Sequence, residues 1–364
     1  MKHTDKILLF AVILLMIISL FMIYSASFIW AEYKFHNPFK YVINQGIFSI
    51  IGLFIMIIIS KINHKLYFKW STSILIVCIV LLILVLIPGL GIIRNGSRSW
   101  FGIGSFSIQP SEFSKIGLII FTSKYLSKSD KFLKDYKKGI FPILFILLLI
   151  FGLIMLEPDF GTGMIIVVTI ISLLYISGVD IKFFIGLFFL GVIGIVGLII
   201  IAPYRMDRIT SFLNPWSDPL GTGFQIIQSL YAIGPGGLFG VGYLNSRQKA
   251  FYLPEPQTDF IFSIIAEEFG IVGTLIILTL FGIILYRGIK IALKEENLFS
   301  KYLAFGLIFQ LIVQVIMNLS VVIGLIPVTG VTLPFMSYGG SSLLTSLVGI
   351  GILLNISKNK KINI

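Results

Sequence analysis

Ten apolar runs dominate this sequence, and they leave few folds open to the chain. A helix that crosses a membrane needs about 20 mostly apolar residues, whereas about 25% of the residues in soluble domains are charged. This chain is 57% hydrophobic and 12% charged, so lipid is the expected solvent for most of its surface. We predict an all-α integral membrane protein with ten transmembrane helices, at residues 7–29, 42–60, 73–88, 108–127, 140–156, 162–178, 181–201, 258–286, 302–325 and 335–356.

The first run shares some features with a secretory signal peptide. Lys2 and Lys6 precede its apolar core, and small residues follow it. The core is long, however, and nine further runs come after it. A retained first helix is therefore the favoured interpretation.

Basic residues indicate how the helices are oriented. With the N-terminus in the cytoplasm, most lysines and arginines fall in cytoplasmic segments, as the positive-inside rule requires. An even number of spans then places both termini in the cytoplasm and makes residues 202–257, between helices 7 and 8, one large extracytoplasmic loop. The net charge of +12 is expected to face anionic lipid heads rather than nucleic acid. We expect residues 1–364 to form a single polytopic membrane domain.

The sequence offers no metal site built from thiols or imidazoles. Cys78 is the only cysteine, which excludes an internal disulfide, and the three histidines are isolated. A metal would therefore need oxygen ligands, because no cysteine or histidine pattern has the required spacing. No firm cofactor is indicated, and the phosphate-binding loop motif that would indicate ATP use is absent.

The segment after the third run carries charges towards the predicted outer face. Arg98 and Trp100 lie in its glycine-rich part, and Glu112 and Lys115 follow on one face of predicted helix four. The Glu112–Lys115 pair could be an ion pair that anchors the helix in the bundle. It could also line a substrate cavity, since charges within a membrane usually face a partner or a cavity. The two interpretations are compatible.

Two more acids, Glu157 and Asp159, lie between the fifth and sixth predicted helices. A solvated turn would explain them. So would a site for a divalent cation, because carboxylate oxygens are ligands of Mg²⁺ and Ca²⁺.

The long predicted loop has a helical part, a glycine-rich part and a basic part. Phe224, Ile227 and Tyr231 recur at helical spacing and predict a short helix lying in the membrane interface. Five glycines follow, which could bring backbone N–H groups to a phosphate or simply permit tight turns and close packing. Arg247 and Lys249 then add two cations just before the next apolar run.

The heptapeptide PEPQTDF places Glu255 and Asp259 at the outer end of predicted helix eight. Asp259 could cap that helix, where a carboxylate meets the positive end of the helix dipole. It could instead be a general base in a partly dry cleft, where burial raises its pKa and nearby cations lower it. Glu267 and Glu268 lie about two turns deeper in the same span, and we expect them to form hydrogen bonds within the bundle.

The uncharged segment 324–344 is rich in Gly, Pro, Ser and Thr, and it predicts a loop folded into the outer surface. Such a loop could serve packing or line the entry of a lipid substrate. Outer cations beside one acid suit an anionic lipid-linked substrate, because its phosphates would meet Arg and Lys. The acid could then take a proton from an incoming hydroxyl.

Five blocks of the sequence resemble the SEDS family of bacterial cell-wall polymerases, which includes RodA, FtsW and SpoVE. They cover nearly the whole chain and read, in order, NGSRSWFGIGSFSIQPSEFSK, EPDFGTG, FLNPWSDPLGTGFQIIQSLYAIGPGGLFGVG, SRQKAFYLPEPQTDFIFSIIAEEFG and PVTGVTLPFMSYGGSSL. The ten-span topology is also the family's. Two stretches, SLYAIGPGG and YLPEPQTDFIFSIIAEE, are more similar to the FtsW and SpoVE division branch than to RodA.

The resemblance implies a peptidoglycan glycosyltransferase of the bacterial cytoplasmic membrane. Its substrate would be lipid II, a disaccharide-pentapeptide on undecaprenyl pyrophosphate. The essential aspartate of the family corresponds to Asp259, which is the expected general base. The arginine–tryptophan loop of the family corresponds to Arg98 and Trp100, although Ser99 intervenes where many members have arginine directly before tryptophan.

The expected substrate-binding residues are Arg98, Trp100, Glu112, Lys115, Arg247, Lys249 and Glu255. Among them Arg98, Arg247 or Lys249, or a bound Mg²⁺, would stabilise negative charge on the leaving pyrophosphate. The resemblance also implies a class B penicillin-binding transpeptidase and other division proteins as partners. Three alternatives stay open: a lipid II flippase, a RodA-type elongation polymerase and a structural scaffold.

Overall fold

The chain folds into a bundle of long helices with a small sheet and an irregular segment at one end of it. The structure, a computed structural model, describes residues 5–94, 96–103, 106–128, 136–201, 206, 210 and 212–358. The helices are α1 (Lys6–Phe35), α2 (Lys40–Ile59), α3 (His64–Leu86), α4 (Pro110–Leu126), α5 (Tyr136–Gly139), α6 (Phe141–Leu156), α7 (Phe160–Ile176), α8 (Ile181–Ile201), α9 (Phe224–Ile233), α10 (Ile261–Leu293), α11 (Leu298–Val322) and α12 (Gly340–Ser357).

Within the described residues, six helices are long and apolar enough to cross a membrane, namely α1, α2, α3, α10, α11 and α12. Helices α6, α7 and part of α8 are apolar but shorter. The chain is therefore a multi-pass membrane protein. Each predicted span overlaps one of these helices or α4, while the number of spans that cross a membrane and their orientation stay predictions.

Several helices differ in extent from the predicted spans. Helix α3 begins at His64 rather than at residue 73, because Asn63 caps it by accepting a hydrogen bond from the Lys65 amide (3.0 Å). Helix α10 continues past residue 286 to Leu293, since basic residues with long aliphatic stems can extend a helix into the polar interface. Helix α12 begins at Gly340 rather than at 335, and the residues before it form an irregular segment.

Helix α11 is central to the bundle and packs against α4, α7, α10 and α12. Helix α1 packs against α2 and α10, α2 packs against α12, and α3 packs against α4. This arrangement brings α4, α7, α10 and α11 to a common centre, where most of the polar side chains discussed below lie.

A three-stranded antiparallel sheet connects α3 to α4, so the all-α prediction was incomplete. Its strands are β1 (Ile92–Arg94), β2 (Ser97–Ile103) and β3 (Phe106–Ile108), in the order β1-β2-β3. Ile92 pairs with Trp100, and Phe101 pairs with Ile108. The Ser97 hydroxyl donates a hydrogen bond to the backbone carbonyl of Glu157, which fixes the sheet over the end of α6.

Helix α10 is interrupted at Gly270, whose φ of 61° is outside the helical region. Residues 237–242 fill the break. The amides of Val241 and Gly242 donate to the carbonyls of Glu267 and Glu268 (2.9 and 3.0 Å), while the amides of Ile271 and Val272 donate to the carbonyls of Gly237 and Leu238 (2.9 and 3.1 Å). These four backbone groups of α10 beside the break thus have partners, which an apolar environment favours.

The glycines of this segment allow its backbone to approach α10 closely. A Cβ atom at Gly240 would overlap the backbone of Glu268, and one at Gly236 would overlap the carbonyl oxygen of Ala266. Of the two interpretations of these glycines, the structure supports close packing.

Candidate functional site

Asp259 lies in a turn directly before α10, and its side chain is partly buried. The residue in the N-cap position of α10 is Phe260, so the capping interpretation of Asp259 does not hold. The backbone carbonyl of Asp259 accepts a 2.7 Å hydrogen bond from Asn318 on α11. Among the residues that the structure describes, none donates a hydrogen bond to the Asp259 carboxylate, so both of its oxygens can still accept one.

The pKa of Asp259 is raised from 3.8 to about 7. Burial is the largest cause, followed by the negative charges of Glu255 and then Asp159. A carboxyl group with this pKa can exchange a proton near neutral pH, as general acid–base catalysis requires.

Asp159 is the second acid of the site, and it caps α7. Its Oδ1 accepts from the Thr162 amide (3.0 Å), and its Oδ2 accepts from Nε2 of Gln109 (2.9 Å). Burial raises the pKa of Asp159, while the hydrogen bonds from Thr162 oppose that rise. Two hydrogen bonds thus fix the side chain of Asp159, and it lies near enough to Asp259 to influence the pKa of that residue.

Glu157 is fully buried, so the prediction of a solvated turn was wrong for this residue. Burial, and to a lesser degree the charge of Asp159, raises the pKa of Glu157 to about 9. Neither carboxyl oxygen of Glu157 has a hydrogen-bond partner among the described residues. Burial thus favours the neutral form of Glu157.

The oxygen donors of the site match a divalent cation in type but are few in number. No group of three or more acidic, histidine or cysteine side chains in the described parts of the chain could hold a metal ion. Mg²⁺ often binds through one or two carboxylates together with substrate phosphates and water. Asp159 fits only this kind of site, in which the substrate completes the coordination.

Glu112 and Lys115 form the predicted ion pair at 2.9 Å, deep in the bundle. Both are buried, with exposed fractions of 6% and 2%. The second oxygen of Glu112 accepts from the Thr345 hydroxyl (2.9 Å), and Lys115 also donates to Oε1 of Gln314 (3.1 Å). The pair is thus part of a hydrogen-bonded network, and it lies near enough to Asp159 to influence the pKa of that residue.

Sequence reasoning missed a row of polar residues on α11. Gln310, Gln314 and Asn318 recur every four residues and are buried on one helix face. Such spacing within an apolar span is a signal that could have identified them. Gln314 donates to the carbonyl of Thr332 (3.1 Å) and to the hydroxyl of Ser342 (3.1 Å), and so continues the network towards Asp259.

Residues 324–339 form the irregular segment predicted at the outer surface, which we call the platform loop. A methyl group placed at Gly330 would lie 3.8 Å from Oδ2 of Asp259, so this loop borders the acid directly. The amide of Tyr338 donates to the carbonyl of Gln257 (2.8 Å), and Gln45 of α2 donates to the carbonyl of Ser337 (3.1 Å). The platform loop is therefore held from several sides.

Arg98 and Trp100 lie on β2, beside the end of α3. The guanidinium group of Arg98 donates to the carbonyl of Leu86 at 3.4 Å, and its Nε is buried without a partner among the described residues. The ring of Trp100 lies 5.7 Å below the guanidinium group of Arg94, which also donates to the Ser107 hydroxyl. In this structure Arg94 is exposed, whereas Arg98 is directed towards the bundle.

Lys249, which was expected to bind phosphate, is buried and paired with an acid instead. It is 1% exposed, and its ammonium group pairs with Glu268 at 2.7 Å and donates to Ser25 at 3.0 Å. The exposed Arg247 contributes its backbone amide to Glu267 (2.8 Å), and no described carboxylate pairs with its side chain. The prediction that Glu267 and Glu268 form internal hydrogen bonds is confirmed.

Glu255 and the predicted short helix are the remaining features that the sequence indicated in this region. Glu255 is exposed and has a positive φ of 42°, and its carbonyl accepts hydrogen bonds from the amide and hydroxyl of Thr258 (3.0 and 2.7 Å). The predicted short helix is confirmed as α9, and its Ser229 donates to the carbonyl of Val322 at the end of α11.

Comparisons with known proteins agree with this arrangement. The family model FtsW/RodA/SpoVE, described as "Cell cycle protein", matches residues 5–362. Stage V sporulation protein E of Bacillus subtilis is 51% identical over 354 residues, or 97% of each chain. A protein of Trichlorobacter lovleyi named "Probable peptidoglycan glycosyltransferase FtsW" is 39% identical over 358 residues, covering 98% of this chain and 94% of that one.

Two solved structures share the fold. One is a chain of a peptidoglycan synthase complex that coordinates polymerization and crosslinking, with a TM-score of 0.81 and 30% identity over 98% of both chains. The other is the rod shape determining protein RodA of Thermus thermophilus, with a TM-score of 0.70 and 27% identity over 97% of this chain and 96% of that one. Together with the match along nearly its whole length, these likenesses show that the chain belongs to the FtsW/RodA/SpoVE family.

Proposed function

We propose that this protein is a peptidoglycan glycosyltransferase that polymerises lipid II at the outer face of the bacterial cytoplasmic membrane. The observation that carries the proposal is the Asp259 carboxyl group, which accepts no hydrogen bond from a described residue and has its pKa raised to about 7 by burial and nearby acids. The named activity of the FtsW relatives supports the same reaction. The similarity to a sporulation protein and to FtsW supports a role in division rather than in elongation.

The proposal includes a topology. All ten spans cross the membrane, both termini are cytoplasmic, and residues 202–257 form the extracytoplasmic loop of a single domain covering residues 1–364. Residues 202–205, 207–209 and 211 of that loop lie outside the described residues. With this orientation, Asp259, the platform loop and the sheet all belong to the outer face.

Asp259 acts as the general base. It takes the proton from the C4 hydroxyl of the acceptor GlcNAc as that oxygen attacks C1 of the donor MurNAc. The bond from C1 to the pyrophosphate oxygen breaks, so the α linkage is inverted to β and undecaprenyl pyrophosphate leaves. Proton transfer by a positioned group contributes about a hundred- to ten-thousand-fold to such a rate.

The leaving pyrophosphate needs positive charge. Arg247 is exposed and could meet it directly. Arg98 and Lys249 could do so only after leaving their contacts with Leu86 and Glu268. If a Mg²⁺ ion takes part, Asp159 would hold it near the pyrophosphate, where the ion would supply the same stabilisation of negative charge while Asp259 stays free to act as the base.

The remaining predicted residues bind or shape the substrate site. Trp100 offers an aromatic face on the sheet. Glu112 and Lys115 act through the network that reaches the platform loop. A class B penicillin-binding transpeptidase and other division proteins are the proposed partners, and the likeness to a chain of a peptidoglycan synthase complex supports this.

A reconstituted assay tests the function. Purified protein in liposomes, with a partner transpeptidase, is incubated with lipid II, and glycan chains are separated on a gel. The unsubstituted protein and Asp180→Asn, which alters an exposed acid far along the chain from Asp259, are expected to form polymer. Asp259→Asn is expected to lose polymer while remaining folded. Transbilayer movement of labelled lipid II without any polymer from the unsubstituted protein would instead support a flippase.

A further inference from the structure

Asn318 holds two segments that meet at Asp259. It lies on α11 and is completely buried. Its Nδ2 donates to the backbone carbonyl of Asp259 at 2.7 Å and to the backbone carbonyl of Val331 at 2.8 Å. One amide group therefore joins the segment that carries the acid to the platform loop that borders it.

The orientation of this amide follows from its neighbours. Both groups within reach are carbonyl oxygens, which can only accept hydrogen bonds. A flipped amide would place Oδ1 against two acceptors, so the nitrogen must face them. Both hydrogens of Nδ2 are then used, and a side chain without two donors cannot replace them.

The residue one turn before Asn318 is linked to the buried charges. Gln314, one turn earlier on α11, donates to the carbonyl of Thr332, next to Val331, and accepts from Lys115. Helix α11 therefore holds two successive residues of the platform loop through side chains on the same face. A rigid helix is a more exact support for a reactive group than a loop is.

We propose that Asn318 is a positioning residue for the reaction: by fixing the backbone of Asp259 and the platform loop to one point on α11, it sets the direction of the Asp259 carboxyl group. The inference rests on the proposed function, in which that carboxyl group is the base. Asn318 itself does not touch the reacting atoms. Its effect should appear in the chemical step, because a misplacement of about 1 Å can cost about a hundred-fold in rate.

The test uses three variants of the full-length protein. Asn318→Leu keeps the approximate size and removes both donors. Asn318→Ser keeps one hydroxyl donor, as a milder change. Gln45→Leu is the matched control, because Gln45 also holds the platform loop, through Ser337 and Gly339, but makes no hydrogen bond to Asp259.

The measurements are kcat and KM for lipid II, together with thermal unfolding in detergent. We expect Asn318→Leu to lower kcat about a hundred-fold while KM changes less than about threefold. Asn318→Ser should be intermediate, and Gln45→Leu should lose stability with near-parental kcat.

Three results would overturn the inference: near-parental kcat in folded Asn318→Leu, a change confined to KM, or an equal loss of kcat in Gln45→Leu. If Asn318→Leu does not fold, Asn318→Ser decides by the same criteria. A failure of the proposed function is distinct, because the unsubstituted protein would then form no polymer.

Discussion

The ammonium group of Lys115 donates a 3.1 Å hydrogen bond to the side-chain oxygen of Gln314, a residue 199 positions further along the chain. Gln314 in turn holds the platform loop through the carbonyl of Thr332. A buried ion pair on α4 is thus connected with the loop that borders Asp259. The Glu112–Lys115 pair therefore supports the shape of the site as well as the packing of the bundle.

Breaking this pair should destabilise the protein strongly. Lys115→Met leaves the Glu112 carboxylate buried and unpaired, which costs about 3–5 kcal/mol for such pairs. The double variant Lys115→Met/Glu112→Gln removes both charges and should recover part of that loss. Thermal unfolding of the two single variants and the double variant gives the coupling energy. Additive losses would contradict the prediction.

Activity should depend on pH through Asp259. The base must be deprotonated to accept a proton, and its pKa is raised to about 7, so polymerisation should increase as pH rises through about 7. Glu255→Gln removes one of the charges that raise this pKa, and the midpoint should move to lower pH. Glu255→Asp keeps the charge and serves as the control. An unchanged midpoint in Glu255→Gln would argue against Asp259 as the titrating group.

Residues 237–242, which fill the break in α10, should tolerate no side chain at their closest contact with that helix. Gly240→Ala forces a Cβ into the backbone of Glu268 in addition to the cost of its φ of 79°. Gly89→Ala is a suitable control, because Gly89 has a similar φ of 91° with nothing within 4 Å of the added carbon. The control should lose about 1–2 kcal/mol from the backbone conformation alone. Unfolding measurements should show a clearly larger loss for Gly240→Ala.

Substitution of Lys249 should affect mainly stability, whereas substitution of Arg247 should affect mainly substrate binding. Lys249→Met leaves Glu268 buried without its partner, so it should lower the unfolding temperature with little change in KM. Arg247→Gln alters an exposed cation and should raise KM for lipid II with little change in stability. The opposite pattern would show that the Lys249–Glu268 pair opens to receive the substrate pyrophosphate.

Local patterns in the sequence determined much of this protein. The apolar runs located the helices, because burial in lipid depends on the hydropathy of each segment alone. The i, i+3 spacing of Glu112 and Lys115 predicted their ion pair, and the heptapeptide around Asp259 marked the acid. The row of Gln310, Gln314 and Asn318 was equally visible in the sequence but was overlooked.

Tertiary structure decided which distant groups meet. Asp159 approaches Asp259, Lys249 pairs with Glu268, residues 237–242 insert at Gly270, and Asn318 bonds to Asp259 and Val331. Each of these contacts joins different structural elements or segments rather than neighbours within one helix. The hydropathy pattern indicates which polar residues lie within apolar spans. Such a residue needs a hydrogen-bond partner, since leaving a buried polar group unpaired costs free energy. Which partner it finds depends on how the helices pack, and that is a property of the whole bundle rather than of any one segment.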